Sequence, residues 1–360
     1  MPDTAVTRRP ALGSERAVAG AAIGAAGMAV PDQVIENEPI QERLGLEEAW
    51  ITKRTGISRR HVLAPGERLI DIAAKAGGAA LAAASLDPSE VDLVLVATTT
   101  KDHITPDAAP LVAAELGAHR AGAFDVGAAC TGFVTGVAVA RGQIETGAAE
   151  RVLVIGADAL FQYLDPDDKR TAGLFGDGAG AVVMTATDPP GRVSTPLLRA
   201  DGGQADLIFA HRGAKLEMQG RETFEHAVAR LSEVTLEALA GAGIEADDID
   251  LFVYHQANRR ILRAVASGSG FPPSGCWTTS RSTPTPPRPR FRSLSPRPRP
   301  TAPSPRVSVC SWRRSEPASP GAQSSSTGGW MMELSDQRRS RSVAHDGCAP
   351  LTVESEARGR

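Results

Sequence analysis

The stretch "AAKAGGAALAAASLDPSEVDLVLVATTT", Ala73 to Thr100, decides the fold because the chain writes its pattern twice. From Ala229 to Ala257 it reads "ARLSEVTLEALAGAGIEADDIDLFVYHQA", again a helix-forming run, a short acidic turn and a buried apolar run. In that register Val91, Asp92 and Leu93 fall opposite Ile249, Asp250 and Leu251. Two similar halves are expected. The ends of the apolar runs, near Thr98 to Thr100 and near Tyr254 to Gln256, should then be equivalent places. Open α/β sheets gather ligands at the C-terminal ends of their strands, so chemistry is expected there.

Working outward, "RVLVIGADAL" (Arg151 to Leu160) and "GAVVMTA" (Gly180 to Ala186) add further strand-like runs. Apolar runs of this length without strict alternation suit strands covered on both faces. The segments "LIDIAAKAGGAALAAASL", "TPDAAPLVAAELG" and "TFEHAVARLSEVTLEALAGAG" are rich in good helix formers and punctuated by Gly or Pro. Alternating strands and helices predict an α/β architecture. "AVAGAAIGAAGMAV", Ala17 to Val30, leads into "PDQVIENEPI" without a cleavage pattern and reads as a buried first strand, neither a signal peptide nor a span.

A chain of 360 residues with 42% apolar content is long enough for one large domain or two ordinary ones. Its formal charge of −3 gives no general ground for nucleic-acid binding, and no segment reads as a membrane span. Four Cys without regular spacing argue against a disulfide framework or a zinc site and fit a reducing cytoplasm. Residues 1–16, with "TRRP", are expected to be a disordered extension.

Composition breaks near Ala266. Beyond it there is no Lys, Arg dominates, Pro and Ser crowd "TPTPPRPRFRSLSPRPRP", and three of the four Cys appear. Such a segment cannot bury enough apolar surface to fold. A one-base shift of coding frame offers a second reading. From Ser267 it restores a helix-like run and a strand-like run, and over Ser311 to Gln323 a Gly-rich strand. Residues 267–360 are therefore expected to be frameshifted and not natively folded.

"DVGAACTGF", Asp125 to Phe133, sets Cys130 among residues with almost no side chain, after the strand-like "GAFDVGAA" and before the helix-like "TGFVTGVAVARGQIETG". A thiol at a helix N-terminus is stabilised as thiolate by the macrodipole and unpaired backbone N–H groups. Ala128, Ala129 and Gly132 leave room for an acyl chain. Local pattern alone leaves a second reading open, in which Cys130 fills a tight core position. His255 in "VYHQAN" favours chemistry, because the internal repeat puts its strand end at an equivalent place, where a Cys and a His can share a substrate.

"DVGAACTGF", "LFGDGAGAVV" (Leu174 to Val183), "WITKRTGI" (Trp50 to Ile57) and "YHQANRRI" (Tyr254 to Ile261) together resemble the β-ketoacyl-acyl-carrier-protein synthase III family of thiolase-fold condensing enzymes. The resemblance runs from about Ala17 to Ala266. It implies a five-layered αβαβα subunit of two similar halves, usually homodimeric. Residues 17–190 would form the N-terminal half and residues 191–266 the first part of a C-terminal half disrupted after Ala266. The implied reaction moves an acyl group from acyl-coenzyme A to the Cys, then condenses it with malonyl-acyl carrier protein. No cofactor is bound permanently and no metal is required.

By motif, Cys130 would be the nucleophile, its backbone N–H part of the oxyanion hole, and His255 one of two donors to the enolate. The second donor would be an Asn about thirty residues beyond the His, where this chain has Pro284 and Thr285. The shifted frame puts an Asn or Asp codon astride those positions, so the chain as it stands is expected to be impaired in condensation. Trp50 and Arg54 would hold the adenine and phosphates of coenzyme A, a flat aromatic and a planar cation being suited to that task. Lys169 or Arg170 would add a nucleotide contact. Met218, Gly220 and Phe224 would line the pantetheine tunnel, and Asn258 would hydrogen-bond the pantetheine arm. Phe133 and Leu160, with residues of a partner subunit, would shape the primer pocket. Asp177 with Gly178 reads as a tight turn supporting the site.

Arg259, Arg260 and Arg263 lie on one helix-like segment. They could steer an acidic carrier protein or simply form a solvated face. Competing functions are a thiolase-fold acyltransferase acting on an alcohol or amine, a Cys/His thioester hydrolase, and an inactive remnant that binds acyl carriers.

Overall fold

The computed structural model describes residues 19–249, 251–268 and 307–310. The expected extension at residues 1–16 and nearly all of the chain beyond Ala266 lie outside the described residues. In chain order the elements are β1 (Gly20–Ala29), β2 (Val34–Glu36), α1 (Asn37–Arg43), α2 (Trp50–Thr55), β3 (Arg59–His61), α3 (Leu69–Ala84) and β4 (Leu93–Ala97). There follow α4 (Ala108–Leu116), β5 (Gly122–Val126), α5 (Gly132–Glu145), β6 (Arg151–Ala159) and β7 (Asp177–Thr187). The remainder comprises β8 (Ile208–Phe209), β9 (Glu217–Met218), α6 (Gly220–Ala242), β10 (Leu251–Tyr254), α7 (Arg259–Gly268) and β11 (Val307–Cys310).

Five strands form one mixed sheet in the order β1-β7-β6-β4-β5. β5, β4 and β6 run parallel, while β7 is antiparallel to both β6 and β1. Successive residues alternate between two cores, as strand geometry requires. Val94, Val96, Leu153 and Ile155 pack towards α3 and α4, whereas Leu95, Val152, Val154 and Met184 pack towards α5. Helices on both faces explain why these strands read as unbroken apolar runs. The Ala- and Gly-rich composition of β1 follows from the closeness of α3, since a Cβ on Gly27 would lie 2.3 Å from the Ala80 nitrogen.

The internal repeat holds down to single hydrogen bonds. α3 ends at Ser85 (φ 55°) and α6 at Gly243 (φ 62°), both left-handed. The next residues, Leu86 and Ile244, donate back to Leu81 O and Leu239 O. This is the helix stop expected of a left-handed C-terminal residue. A single 3₁₀ turn follows in each copy, closed by Glu90 on the Asp87 N–H and by Asp248 on the Glu245 N–H, both at 3.1 Å. The strands then match in facing as well, Phe252 and Tyr254 packing with α6 and α7 as Val94 and Val96 pack with α3 and α4.

One feature differs from the sequence reading. Asp177 and Gly178 open β7, paired with Ala159 and Asp158, and do not form a turn. The Asp177 carboxylate instead receives the Leu63 and Phe161 N–H groups at 2.8 and 2.9 Å, joining three segments. The helix at the compositional break continues to Gly268, and Val307–Cys310 pairs in parallel with β10.

Candidate active site

Cys130 lies in a 3₁₀ turn, Ala129–Thr131, that runs straight into α5. It is half-buried. The residue before it, Ala129, has φ 45°, a left-handed conformation that costs a non-glycine residue about 1–2 kcal/mol. Thr131 holds the turn, its N–H and hydroxyl both donating to Ala128 O at 3.1 and 2.8 Å. A Cβ on Gly132 would come within 3.0 Å of the Ala97 Cβ, so the absent side chain lets the helix start against the end of β4. The thiol therefore stands at the N-terminus of a 14-residue helix, where the helix dipole favours negative charge. Phe133, in the first turn of α5, and Leu160, directly after β6, are both buried.

His255 directly follows β10, the repeat partner of β4. Burial pushes its imidazole down to about 4, so the ring is neutral at neutral pH and offers one donor and one acceptor nitrogen. Three residues on, Asn258 caps α7, its Oδ1 accepting from the Arg260 N–H at 2.8 Å. Arg259 is half-buried and turns towards α2, its Nη2 donating to Thr52 O at 3.5 Å. Arg260 sits 5.6 Å from the Phe224 ring centroid, and both Arg260 and Arg263 are exposed.

The expected nucleotide contacts lie on two separate elements. Arg54 lies 4.5 Å above the Trp50 ring at the two ends of α2. Lys169 and Arg170 stand on the loop between β6 and β7, where Arg170 is held by Asp168 at 2.9 Å and Lys169 is exposed. That loop is fastened to the α1–α2 region, with Arg43 donating to both oxygens of Asp167 at 2.7 and 3.0 Å. Further along, Phe175 packs with Met218 around Leu207, Ile208 and Leu216. Gly220 begins α6, and Phe224 sits four residues later against the core around Phe252.

Comparison with known proteins supplies the assignment. The family model described as 3-oxoacyl-(acyl-carrier-protein) synthase III matches residues 124–202, and its C-terminal counterpart matches residues 239–283. The chain is 44% identical over 258 residues to β-ketoacyl-(acyl-carrier-protein) synthase III 2 of Streptomyces coelicolor, spanning 71% of this chain and 78% of the relative. The chain belongs to the 3-oxoacyl-(acyl-carrier-protein) synthase III family.

Solved structures agree. The synthase III of Pseudomonas aeruginosa is similar with a TM-score of 0.66 at 39% identity, over 71% of this chain and 82% of that one. The priming β-ketosynthase of a polyketide pathway is similar with a TM-score of 0.68 at 32% identity, over 71% of this chain and 80% of that one. The thiolase-like α/β fold expected from the sequence is therefore the fold of this synthase III chain.

One buried group of this synthase III chain has no counterpart in the sequence reading. Asp158, 2% exposed at the end of β6, receives the hydroxyls of Thr98, Thr99 and Thr100 and the Thr99 N–H, all on Oδ1 at 2.9 to 3.2 Å. Burial pushes its carboxyl up to about 6 against those donors. The signal was an Asp inside the apolar run "VLVIGADAL", opposite three consecutive Thr at the neighbouring strand end. Among the described residues no helix is long and apolar enough to cross a membrane.

Proposed function

We propose that the chain loads an acyl group from acyl-coenzyme A onto Cys130 and condenses it with malonyl-acyl carrier protein at the start of fatty-acid or polyketide synthesis. The observation carrying this reading is Cys130 itself, held by the strained Ala129 turn at the mouth of α5. The thiolate attacks the thioester carbonyl, the coenzyme A thiol leaves, and a Cys130 thioester remains. Malonyl thioester then loses carbon dioxide. The enolate carbon attacks the Cys130 acyl carbonyl, and the expelled thiolate leaves a β-ketoacyl thioester on the carrier.

Charge on the enolate oxygen is where a neutral His255 acts, as a donor aimed in advance at developing charge. Trp50, Arg54 and Lys169 or Arg170 take the nucleotide, and Met218, Gly220 and Phe224 the pantetheine. Since Asn258 Oδ1 is occupied in capping α7, its amide nitrogen is the end left for the pantetheine arm. Arg260 and Arg263, exposed on one helix, are suited to an acidic carrier, and Arg259 is the least available of the three. Two copies would join along β5, an edge strand of the sheet with Phe124 42% exposed. Such an edge is a template for strand pairing.

The domain reading completes the proposal, with halves at 17–190 and 191–266, cytoplasmic location, and a shifted frame from Ser267. Expressing the chain as it stands beside the reread version and measuring carbon dioxide release from malonyl-acyl carrier protein tests both points. The reread version should release it in proportion to primer. Comparable release by the chain as it stands would show that its basic segment is genuine, and none from either would end the condensing reading.

A further inference from the structure

Arg60 on β3 is a buried guanidinium that the mechanism above does not use. It is 4% exposed, and burial lowers its pKa to about 10, so it remains charged at neutral pH. Taking a cation out of water is costly unless hydrogen bonds replace its hydration. Here the replacement comes from four acceptors. Nη1 donates to Ile35 O and Glu36 O, both at 3.2 Å, and Nη2 donates to Asn37 Oδ1 and to Gly173 O at 3.1 Å.

Two of these acceptors, Asn37 and Gly173, lead to the two sides of the expected nucleotide contacts. Asn37, 3% exposed, passes the connection on through Nδ2 to Thr52 Oγ1 at 2.9 Å and to Ile57 O at 2.8 Å, gripping α2 within its length and just beyond its end. Gly173 belongs to the loop that carries Lys169 and Arg170. A Cβ there would lie 2.9 Å from Ile51 Cδ1, so the loop lies directly on α2. An outer tie, Arg43 at the end of α1 with Asp167, also fastens that loop, but its side chains are 54% and 67% exposed. Exposed pairs of that kind contribute only about 0–1 kcal/mol. The inner, buried connection must carry most of the alignment.

We infer that Arg60 is a positioning residue for coenzyme A, setting α2 with Trp50 and Arg54 at a fixed spacing from the loop with Lys169 and Arg170. This rests on the reading of those four residues as nucleotide contacts. Lys is not an equivalent replacement, because one ammonium cannot reach acceptors spread around a planar fork.

The test is calorimetric titration of the full chain with coenzyme A and, separately, with pantetheine, which lacks the nucleotide. Arg60→Lys should raise the coenzyme A to pantetheine Kd ratio about tenfold, a change of spacing being felt only by the nucleotide end. Thr52→Val, a half-buried and nearly isosteric change, removes both bonds of the Thr52 hydroxyl, the one accepted from Asn37 Nδ2 and the one donated to Ile57 O, so it weakens the network at α2 and should raise the ratio by about threefold. It decides the matter if Arg60→Lys does not fold. General loosening would weaken both ligands alike and leave the ratio unchanged, and that result overturns the positioning role. Trp50→Ala separates the two levels of the argument. If it leaves the ratio unchanged, the nucleotide reading fails and Arg60 falls with it; if it raises the ratio while Arg60→Lys and Thr52→Val do not, only the inference about Arg60 is lost.

Discussion

The segment from α3 to β4 and the segment from α6 to β10 share a helix stop, a capped 3₁₀ turn and a strand with the same facing, yet their strands end differently. After β4 come Thr98, Thr99 and Thr100, whose hydroxyls all close on the buried Asp158. After β10 comes His255, kept neutral by burial, and then the Asn258-capped helix. One scaffold thus serves twice. The divergence falls at the carboxyl ends of strands, where α/β sheets gather ligands; one copy holds the sheet together, and under the proposed function the other meets the substrate.

If the copies are one scaffold, truncating matched core residues should cost alike. Leu81 and Leu239, 2% and 6% exposed, each receive the N–H that stops their helix and pack in the two matched cores. Leu81→Ala and Leu239→Ala should each lose about 2–5 kcal/mol in denaturant unfolding. A cost below about 1 kcal/mol at Leu239 alone would mean that the second copy is not a packed equivalent of the first.

Function should break the symmetry. His255→Ala should lower decarboxylation of malonyl-acyl carrier protein by about 10²–10³, the usual loss for one donor to developing negative charge. Acylation of Cys130 should remain measurable, because the helix terminus activates the thiol without an adjacent base. Equal loss of both half-reactions would instead make Cys130 and His255 a nucleophile and base, as in a hydrolase.

The first copy should show its difference in the pH dependence of stability. Asp158 is held near 6 when folded, above its unfolded value near 3.9, so the folded state keeps a proton that the unfolded state has lost. Its contribution to stability therefore declines as pH rises from about 4 to about 6 and is flat beyond. His255 acts in the opposite sense, its lowered pKa adding stability as pH rises from about 4 to about 6.5. Asp158→Asn removes the first trend only, so relative to the parent it should gain about 2–3 kcal/mol between pH 4 and pH 7. Parallel profiles for variant and parent would contradict the buried, proton-holding carboxyl.

The smallest effect lies at the helix stops. Ser85 adopts in the first copy the left-handed conformation that glycine takes at Gly243 in the second. Ser85→Gly should be stabilising and Gly243→Ala destabilising, each by about 1 kcal/mol. The same sign at both positions would mean that the two stops are not equivalent.

What the sequence revealed follows from the range of the interactions involved. The repeat, the strands β4, β6, β7 and β10 and the Cys130 turn were legible because period, turn chemistry and small residues are local signals. α2 was not, being six residues long and flanked by left-handed Ala49 and Gly56. Asp158 was missed because its partners lie 58 to 60 residues away. Arg60 was missed for the same reason, meeting Gly173 across 113 residues. Asp177 was read as part of a turn because "GDG" is turn-like in isolation, whereas the pairing of β7 with β6 decides its conformation.

The central claim is that Cys130, at the mouth of α5, accepts the acyl group. Incubation of the frame-corrected chain with a short acyl-coenzyme A, followed by peptide mass spectrometry, tests it most directly. The acyl mass should appear on the peptide containing Cys130 and vanish in Cys130→Ala. Acylation of another residue while Cys130 stays unmodified would contradict the account.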